Sequence, residues 1–345
     1  MSKSKTKSVL LKFLLHLHPP RIPESSTKFS YTFGLGGLAI FSFLLTTITG
    51  IVLLFQYSPT PESAHASMEQ IATVIPYGWY IRNLHFWSAQ VLVITAVLHM
   101  LRIVLTGGYL RGRSFNFQIG LILLVLLFIT DFTGFPLRRD AESHWALVVG
   151  TNLIKTIPVI GAGLYEFIVG GAEITGTTLL RFYGWHIFGL PFIATILVVY
   201  HIYRIRKDGG ISRKKGNSRP ASITREQLVK KEVLFMLAAL VGLILLSVFW
   251  TPHLGLSVES SPQLTEVQAP WIFLGIQFLL RYLPPVIAGI VIPIAILIFW
   301  AAMPYLDKKD DLQGIWSPEP RKRFWLTFVL TLAFIGGTML AEVVV

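Results

Sequence analysis

Long apolar stretches alternate along this chain with short polar or basic ones, and the apolar stretches are free of interior charge clusters. A helix needs roughly 20 apolar residues to cross the hydrocarbon core of a bilayer. Windows of that length predict seven membrane spans, at residues 31–57, 78–106, 115–133, 181–203, 232–249, 279–300 and 324–345. The expected fold class is therefore an all-α integral membrane protein, with a four-helix front part and a three-helix back part.

Charge placement orients the spans. Lys and Arg gather in the N-terminal segment (Lys3, Lys5, Lys7, Lys12), between spans two and three (Arg111, Arg113), through Arg204 to Lys231, and between spans six and seven (Lys308, Lys309, Arg321 to Arg323). The alternate loops lack them: none precedes Arg82 after the first span, and the loop before span six carries Glu259 and Glu266 instead. The positive-inside rule then places the N-terminus in the cytoplasm, as expected for a multi-pass protein of a bacterial inner membrane. The start of the chain does not read as a cleavable signal, since residues 2–12 are basic and polar.

Composition agrees: 53% of residues are hydrophobic, 14% are charged, and the mean hydropathy is +0.62. The net charge of +12 sits mostly on one membrane side. That placement suits anionic lipid headgroups, and nucleic acid is not an expected partner. The absence of cysteine excludes disulfides, thiolate iron–sulfur ligation and haem attached through Cys-x-x-Cys-His. Any redox cofactor must be held by other ligands.

The basic, glycine-bearing stretch after Arg204 is the best internal boundary. It divides a domain at 1–210 from one at 232–345, with 211–231 as a cytoplasmic linker. The segment from 135 to 180 is too long for a simple connection and reads as a long loop broken by Pro158, Gly161, Gly163, Gly170 and Gly171.

The chemistry sits in histidine pairs. His85 and His99 lie fourteen residues apart in the second span, and His186 and His201 fifteen apart in the fourth. Fourteen residues are nearly four turns, so the two imidazoles project from similar sides about 21 Å apart. Both spans run in the same direction, which puts His85 level with His186 and His99 level with His201. Two stacked bis-imidazole sites for a flat macrocycle follow, each iron held by one pair. Gly36, Gly37 and Gly50 in the first span, and Gly120 and Gly134 in the third, are places where a porphyrin face could approach the backbone, or simply small residues for helix packing. Arg82, Arg102, Arg181 and Arg206 lie near the ends of the histidine-bearing spans. They could pair with haem propionates or reach out to headgroups.

These residues resemble cytochrome b of the Rieske/cytochrome b quinol-oxidising complexes, the bc and bf types. The resemblance rests on residues 80–87 (Tyr-Ile-Arg-Asn-Leu-His-Phe-Trp), on 98–102 (Leu-His-Met-Leu-Arg) with 105–108 (Leu-Thr-Gly-Gly), on 157–161 (Ile-Pro-Val-Ile-Gly), on 181–186 (Arg-Phe-Tyr-Gly-Trp-His), and on 201–210. It is firm over roughly residues 19–210. The fifteen-residue spacing looks like the bf type, and the back part looks like that type's three-helix subunit fused in one chain. The resemblance implies two noncovalent b-type haems, with His85 and His186 at the outer one and His99 and His201 at the inner one. It also implies quinone and quinol as substrates, a Rieske iron–sulfur protein and a c-type cytochrome as partners, and a homodimer within a larger complex. The implied reaction is bifurcated quinol oxidation in a respiratory or photosynthetic chain.

The chain departs from that pattern in three places. Gly34 occupies the position of the cysteine that attaches an extra haem in the bf type, which leaves only a noncovalent one open there. Residues 269–272 (Ala-Pro-Trp-Ile) replace the Pro-Glu-Trp-Tyr motif whose carboxylate accepts a quinol proton. Arg138 and Arg139 replace Pro-Trp, which suggests a changed partner surface or quinol pocket. Glu266, Glu259, Asp131, Asp140 and Glu142 are candidate replacement carboxylates. The leading expectation is an oxidoreductase subunit that works with partner subunits. Two others stand beside it: a dihaem conduit from the quinone pool to a non-Rieske partner, and a haem-free membrane anchor or transporter.

Overall fold

The computed structural model describes residues 21–212, 221–260, 267–307, 314 and 322–344. The basic residues at 3–12, Lys308, Lys309, Arg321 and the candidate Glu266 lie outside the described residues.

Helices carry most of the described chain. In chain order they are α1 (Leu35–Leu54), α2 (Ala64–Thr73), α3 (Gly78–Leu105), α4 (Ser114–Gly134), α5 (Ala141–Lys155), α6 (Gly161–Val169), α7 (Gly176–Gly184), α8 (Leu190–Lys207), α9 (Arg225–Phe249), α10 (Leu274–Leu280), α11 (Ile292–Leu306) and α12 (Lys322–Val344). Among the described residues, seven helical stretches are long and apolar enough to cross a membrane, at 35–54, 78–105, 114–138, 176–207, 225–249, 287–306 and 325–343. The protein is a multi-pass, all-α membrane protein. One small strand pair interrupts that description: β1 (Arg21–Pro23) runs antiparallel to β2 (Ser222–Thr224), and Ile22, Ile223 and Leu228 close a buried cluster beneath it.

Two expectations need correction. The segment 135–180 is not a loop but holds two helices and the start of α7. Asp140 caps α5 by accepting from the Ser143 main-chain NH, and Thr175 caps α7 by accepting from the Thr177 NH while its own NH donates to Thr178 Oγ1. Pro158 falls between α5 and α6, and Gly161 is the first residue of α6. The sixth span begins later than 279, because α10 stops at Leu280 and Pro284 and Pro285 break the backbone before the chain re-enters helix.

Spans four and six each contain one π-turn, at Trp185–Gly189 and Ile287–Val291. In both, a proline stands second in the helix that follows, Pro191 and Pro293. A proline has no NH to give and its ring crowds the carbonyl four residues back, so a wider turn carrying one extra residue relieves it. This π-turn gives the fifteen-residue interval between His186 and His201 a physical reason. The extra residue is absorbed in the wide turn, and the rise stays close to that of the fourteen-residue interval in α3.

The helices α1, α3, α4 and the α7–α8 stretch surround a central space. The back helices close on them through a buried cluster that joins Met100 and Val104 of α3, Phe117 and Leu121 of α4, Trp300 and Met303 of α11, and Phe328 of α12. Lipid is as apolar as these side chains, so polar contacts and close packing must supply the specificity. Thr46 donates to Ser88 between α1 and α3, Asn83 donates to the Ser247 carbonyl between α3 and α9, and Gln118 donates to the Ala301 carbonyl. Each such bond contributes about 0.6 kcal/mol on average.

Two ends of the bundle differ. One carries α5 and the segment 250–257, tied down by Arg82 to the Pro252 and His253 carbonyls, Trp87 to the Trp250 carbonyl, and His65 to the Gly255 carbonyl. We call it the α5 end. The other carries β1, β2 and residues 207–212, and is called the strand end.

Candidate functional site

A cavity of about 1460 Å³ runs through the bundle, well above the roughly 300–1,000 Å³ of a single-ligand pocket. All four span histidines, His85, His99, His186 and His201, line it. His85 and His186 meet toward the α5 end, with ring centroids 6.2 Å apart and planes 74° apart. His99 and His201 face each other nearer the strand end, close enough to act on one another electrostatically.

Each histidine rests on one glycine of the neighbouring helix. A Cβ built on Gly50 of α1 would lie 3.1 Å from Cε1 of His85, and one on Gly36 would lie 3.2 Å from Cε1 of His99. On α4, a Cβ on Gly134 would lie 2.4 Å from Cε1 of His186, and one on Gly120 would lie 3.4 Å from Cε1 of His201. So α1 backs the histidines of α3, and α4 backs those of α8 and its π-turn. The glycines receive imidazoles, where the sequence reading offered them to a porphyrin face; Gly37 has nothing within 4 Å of its would-be Cβ.

That contact also orients the rings. Nδ1 of His85 lies 3.0 Å from the Thr46 carbonyl, and Nδ1 of His186 lies 3.0 Å from the Thr130 carbonyl. Both carbonyls stand four residues before the backing glycine. A carbonyl can only accept, so Nδ1 carries the proton and Nε2 keeps its lone pair. An imidazole fixed in this way is prepared to ligate a metal through Nε2. With metal–imidazole bonds of about 2.0–2.1 Å on each side, two such rings stand roughly 6 Å apart, and the 6.2 Å between His85 and His186 fits a metal bridged by the pair. Among the described residues no cluster of three or more His, Cys, Asp or Glu side chains could hold a metal ion. The site therefore suits a metal whose other ligands come with it, as a haem iron's do.

Cations stand at both ends of the cavity. Near the strand end Arg102, Arg113 and Arg206 line it. Arg102 stacks 4.3 Å over Tyr31, and its buried Nη2 has no hydrogen-bond partner. At the α5 end Arg82 and Arg138 line the cavity. Arg181 does not: its guanidinium donates to the Phe167 carbonyl, away from the cavity. Arg113 and Arg138 are the cavity arginines that sequence reasoning did not assign to a cofactor. Their positions at span ends mark them as charged, but nothing in the sequence says which arginines turn inward.

The candidate carboxylates separate as clearly. Asp131 and Glu142 line the cavity, whereas Asp140 is fully buried beside it. Asp140 takes hydrogen bonds from the Arg138 guanidinium and from the Ser143 and Gly255 main-chain NH groups. Glu259 pairs with Arg139 at 3.3 Å on the surface. Gly34 is doubly constrained, because its backbone has φ +64° and a Cβ there would lie 2.5 Å from the Phe235 ring. Phe235 thus occupies the space that a cysteine side chain would need.

Residues 22–209 match the Cytochrome b/b6/petB family, more than half of the chain. The chain belongs to the cytochrome b/b6 family. Among its relatives, cytochrome b6 of Heliomicrobium gestii is 40% identical over 187 residues, covering 54% of this chain and 88% of the relative. Cytochrome b6 of Heliobacterium modesticaldum is 38% identical over 192 residues, 56% of this chain and 88% of that one. Cytochrome b6 of the alga Gracilaria tenuistipitata var. liui is 38% identical over 175 residues, 51% and 81%. A solved structure titled "Hyperthermophilic respiratory Complex III" shares the fold, with a TM-score of 0.78 over 91% of this chain and 84% of that one at 23% identity. A membrane cytochrome b of this family is a haem protein of electron transport and a subunit of a quinol oxidoreductase.

Membership makes the π-turn testable. Deleting Phe188, which points away from the bundle at 67% exposure, should turn the π-turn into regular helix and leave bound haem close to the wild-type amount. Deleting Val199 from the regular helix should rotate His201 by about 100° relative to His186 and lower the haem content. Haem content per purified chain checks both.

Proposed function

We propose that this chain holds two noncovalent b-type haems, one between His85 and His186 and one between His99 and His201, and carries electrons across the membrane between two quinone sites. The observation that carries the reading is the pairing itself: four imidazoles in two facing sets, each backed by its own glycine. When bound, each haem supplies a one-electron centre, and the two levels lie about 21 Å apart along the helix axis.

The chain's own residues do the rest. Thr46 and Thr130 fix the ring tautomers through their carbonyls. Arg102, Arg113 and Arg206 at the strand end are placed to bind carboxylate groups of a cofactor, whereas at the α5 end Arg82 holds the Pro252 and His253 carbonyls and Arg138 holds Asp140. In this reading the α5 end faces outward and the strand end inward, with the N-terminus cytoplasmic in a bacterial inner membrane. Quinol oxidised at the α5 end gives one electron to the His85–His186 centre and one to an outer one-electron acceptor, and a quinone is reduced near the strand end. Family resemblance supports a Rieske iron–sulfur protein and a c-type cytochrome as partners, a homodimer, and residues 1–210 as the dihaem domain with 232–345 as its companion. A non-Rieske outer acceptor is the second reading, favoured by Arg138 and Arg139 at the α5 end.

A redox titration of the reduced-minus-oxidised spectrum tests the proposal. Two b-type components are expected, with His186→Ala removing one and His99→Ala the other. A single component contradicts the two-haem reading, and none returns the haem-free anchor.

A further inference from the structure

Quinol oxidation at the α5 end would release protons inside a mostly apolar cavity, so some group there must accept them. Among the described residues, three carboxylates line the cavity: Asp131, Glu142 and Glu232. Glu232 is at the strand end beside Arg206. The other two belong to the α5 end, Asp131 three residues before Gly134, on which His186 rests, and Glu142 in the first turn of α5.

Their settings differ in a way that suits successive steps. Asp131 lies within a membrane span, and its carboxylate has no hydrogen bond or ion pair among the described residues. An ionisable side chain at this depth without a structural partner is costly, and such residues are usually functional. Glu142 touches both worlds: it lines the cavity, yet its side chain is 44% exposed. Arg138 holds it at 3.3 Å, and that guanidinium is already committed to the buried Asp140 and lies 4.7 Å over the Phe135 ring. The contact to Glu142 is the longer of the two. The other titratable and charged groups facing this end, among the described residues, are the histidines His85 and His186, Tyr57, which donates to the Leu137 carbonyl, its ring neighbour Tyr183, Arg82 and His253. None of these is a carboxylate.

We propose that Asp131 is the proton acceptor for quinol in this cavity and that Glu142 passes the proton to the aqueous phase. The inference rests on the quinol-oxidising reading above. In the step, the O–H bond of the inward-facing hydroxyl breaks and an O–H bond forms on the Asp131 carboxylate. The proton moves to Glu142 and then to water, and the hydroxyl nearer the open mouth loses its proton to water directly. The two electrons leave to the His85–His186 centre and to the outer one-electron acceptor, so the quinol becomes quinone.

The test uses the assembled complex in native membranes and a short-chain quinol, following quinol-driven b-haem reduction by stopped flow between pH 5 and 8. Wild type should slow toward acid, where protonated carboxylates can no longer accept. Asp131→Asn is expected to lose about 100-fold, within the range of general-base effects, and to lose that acid limb. Glu142→Gln should lose roughly tenfold. Asp131→Glu should restore the rate to within about tenfold and move the limb, which a purely structural role would not do. Wild-type rates and an unchanged pH profile in Asp131→Asn and Glu142→Gln, with the b-type spectrum intact, would overturn the proposal. So would an unmoved limb in Asp131→Glu. A wild-type chain lacking two b-type components would sink the dihaem reading instead.

Discussion

Gly134→Ala is expected to remove the haem at the α5 end while leaving the one at the strand end. The added Cβ would lie 2.4 Å from Cε1, 2.8 Å from Nδ1 and 3.0 Å from Nε2 of His186. The ring is held on the Thr130 carbonyl of the same helix turn, so it cannot retreat without giving up the bond that fixes its tautomer. Disturbing such a supporting contact costs 10- to 100-fold in metal affinity, and displacing the ligand itself costs the site. The four glycines form a graded series, because the corresponding closest approaches are 3.1 Å at Gly50, 3.2 Å at Gly36 and 3.4 Å at Gly120. Haem per chain in the four alanine variants should fall most at Gly134 and least at Gly120. An unchanged content at Gly134, or the reverse order, would refute the role given to these glycines.

Asp140→Ala is expected to destabilise the α5 end by about 3–5 kcal/mol, the usual result of leaving one partner of a buried ion pair alone. Asp140 is 0% exposed and joins three elements at once: it caps α5, receives Arg138, and holds the 250–257 segment through the Gly255 NH. Burial opposes its ionisation, but the Arg138 guanidinium and the main-chain donors outweigh burial and hold the carboxyl below its usual range. A carboxyl depressed in the folded state stabilises the protein at pH above its unfolded value of about 3.9, and that contribution disappears as pH falls through the folded value. Wild type in detergent should therefore lose unfolding stability below about pH 4, and Asp140→Ala should start lower and lose less over that range. Equal stabilities at pH 7, measured by chaotrope unfolding, would contradict the account.

The parts of this structure legible in the sequence are those set by one-dimensional rules. Hydrocarbon thickness fixes span length, so the seven spans were readable, and the helical repeat made the fourteen-residue interval in α3 readable as a face. What escaped depends on neighbours. A glycine in a sequence does not say what lies above it, so Gly36, Gly50, Gly120 and Gly134 read as room for a porphyrin face or for helix packing, whereas each lies against a histidine ring. An arginine at a span end does not say which way it turns, so Arg181 was grouped with the cavity residues while Arg113 and Arg138 were not. The fifteen-residue interval was visible, but its cause lay in Pro191 and the π-turn before it. Helices α5 and α6 are hard to read because Pro158 marks only the break between them, although Asp140 supplies the cap of the first.

The most direct test of the account is a count of noncovalent haem b per purified chain by the pyridine haemochrome method. Two per chain, both extractable by acid solvent, is the predicted result. One per chain, none, or a fraction that resists extraction would contradict it.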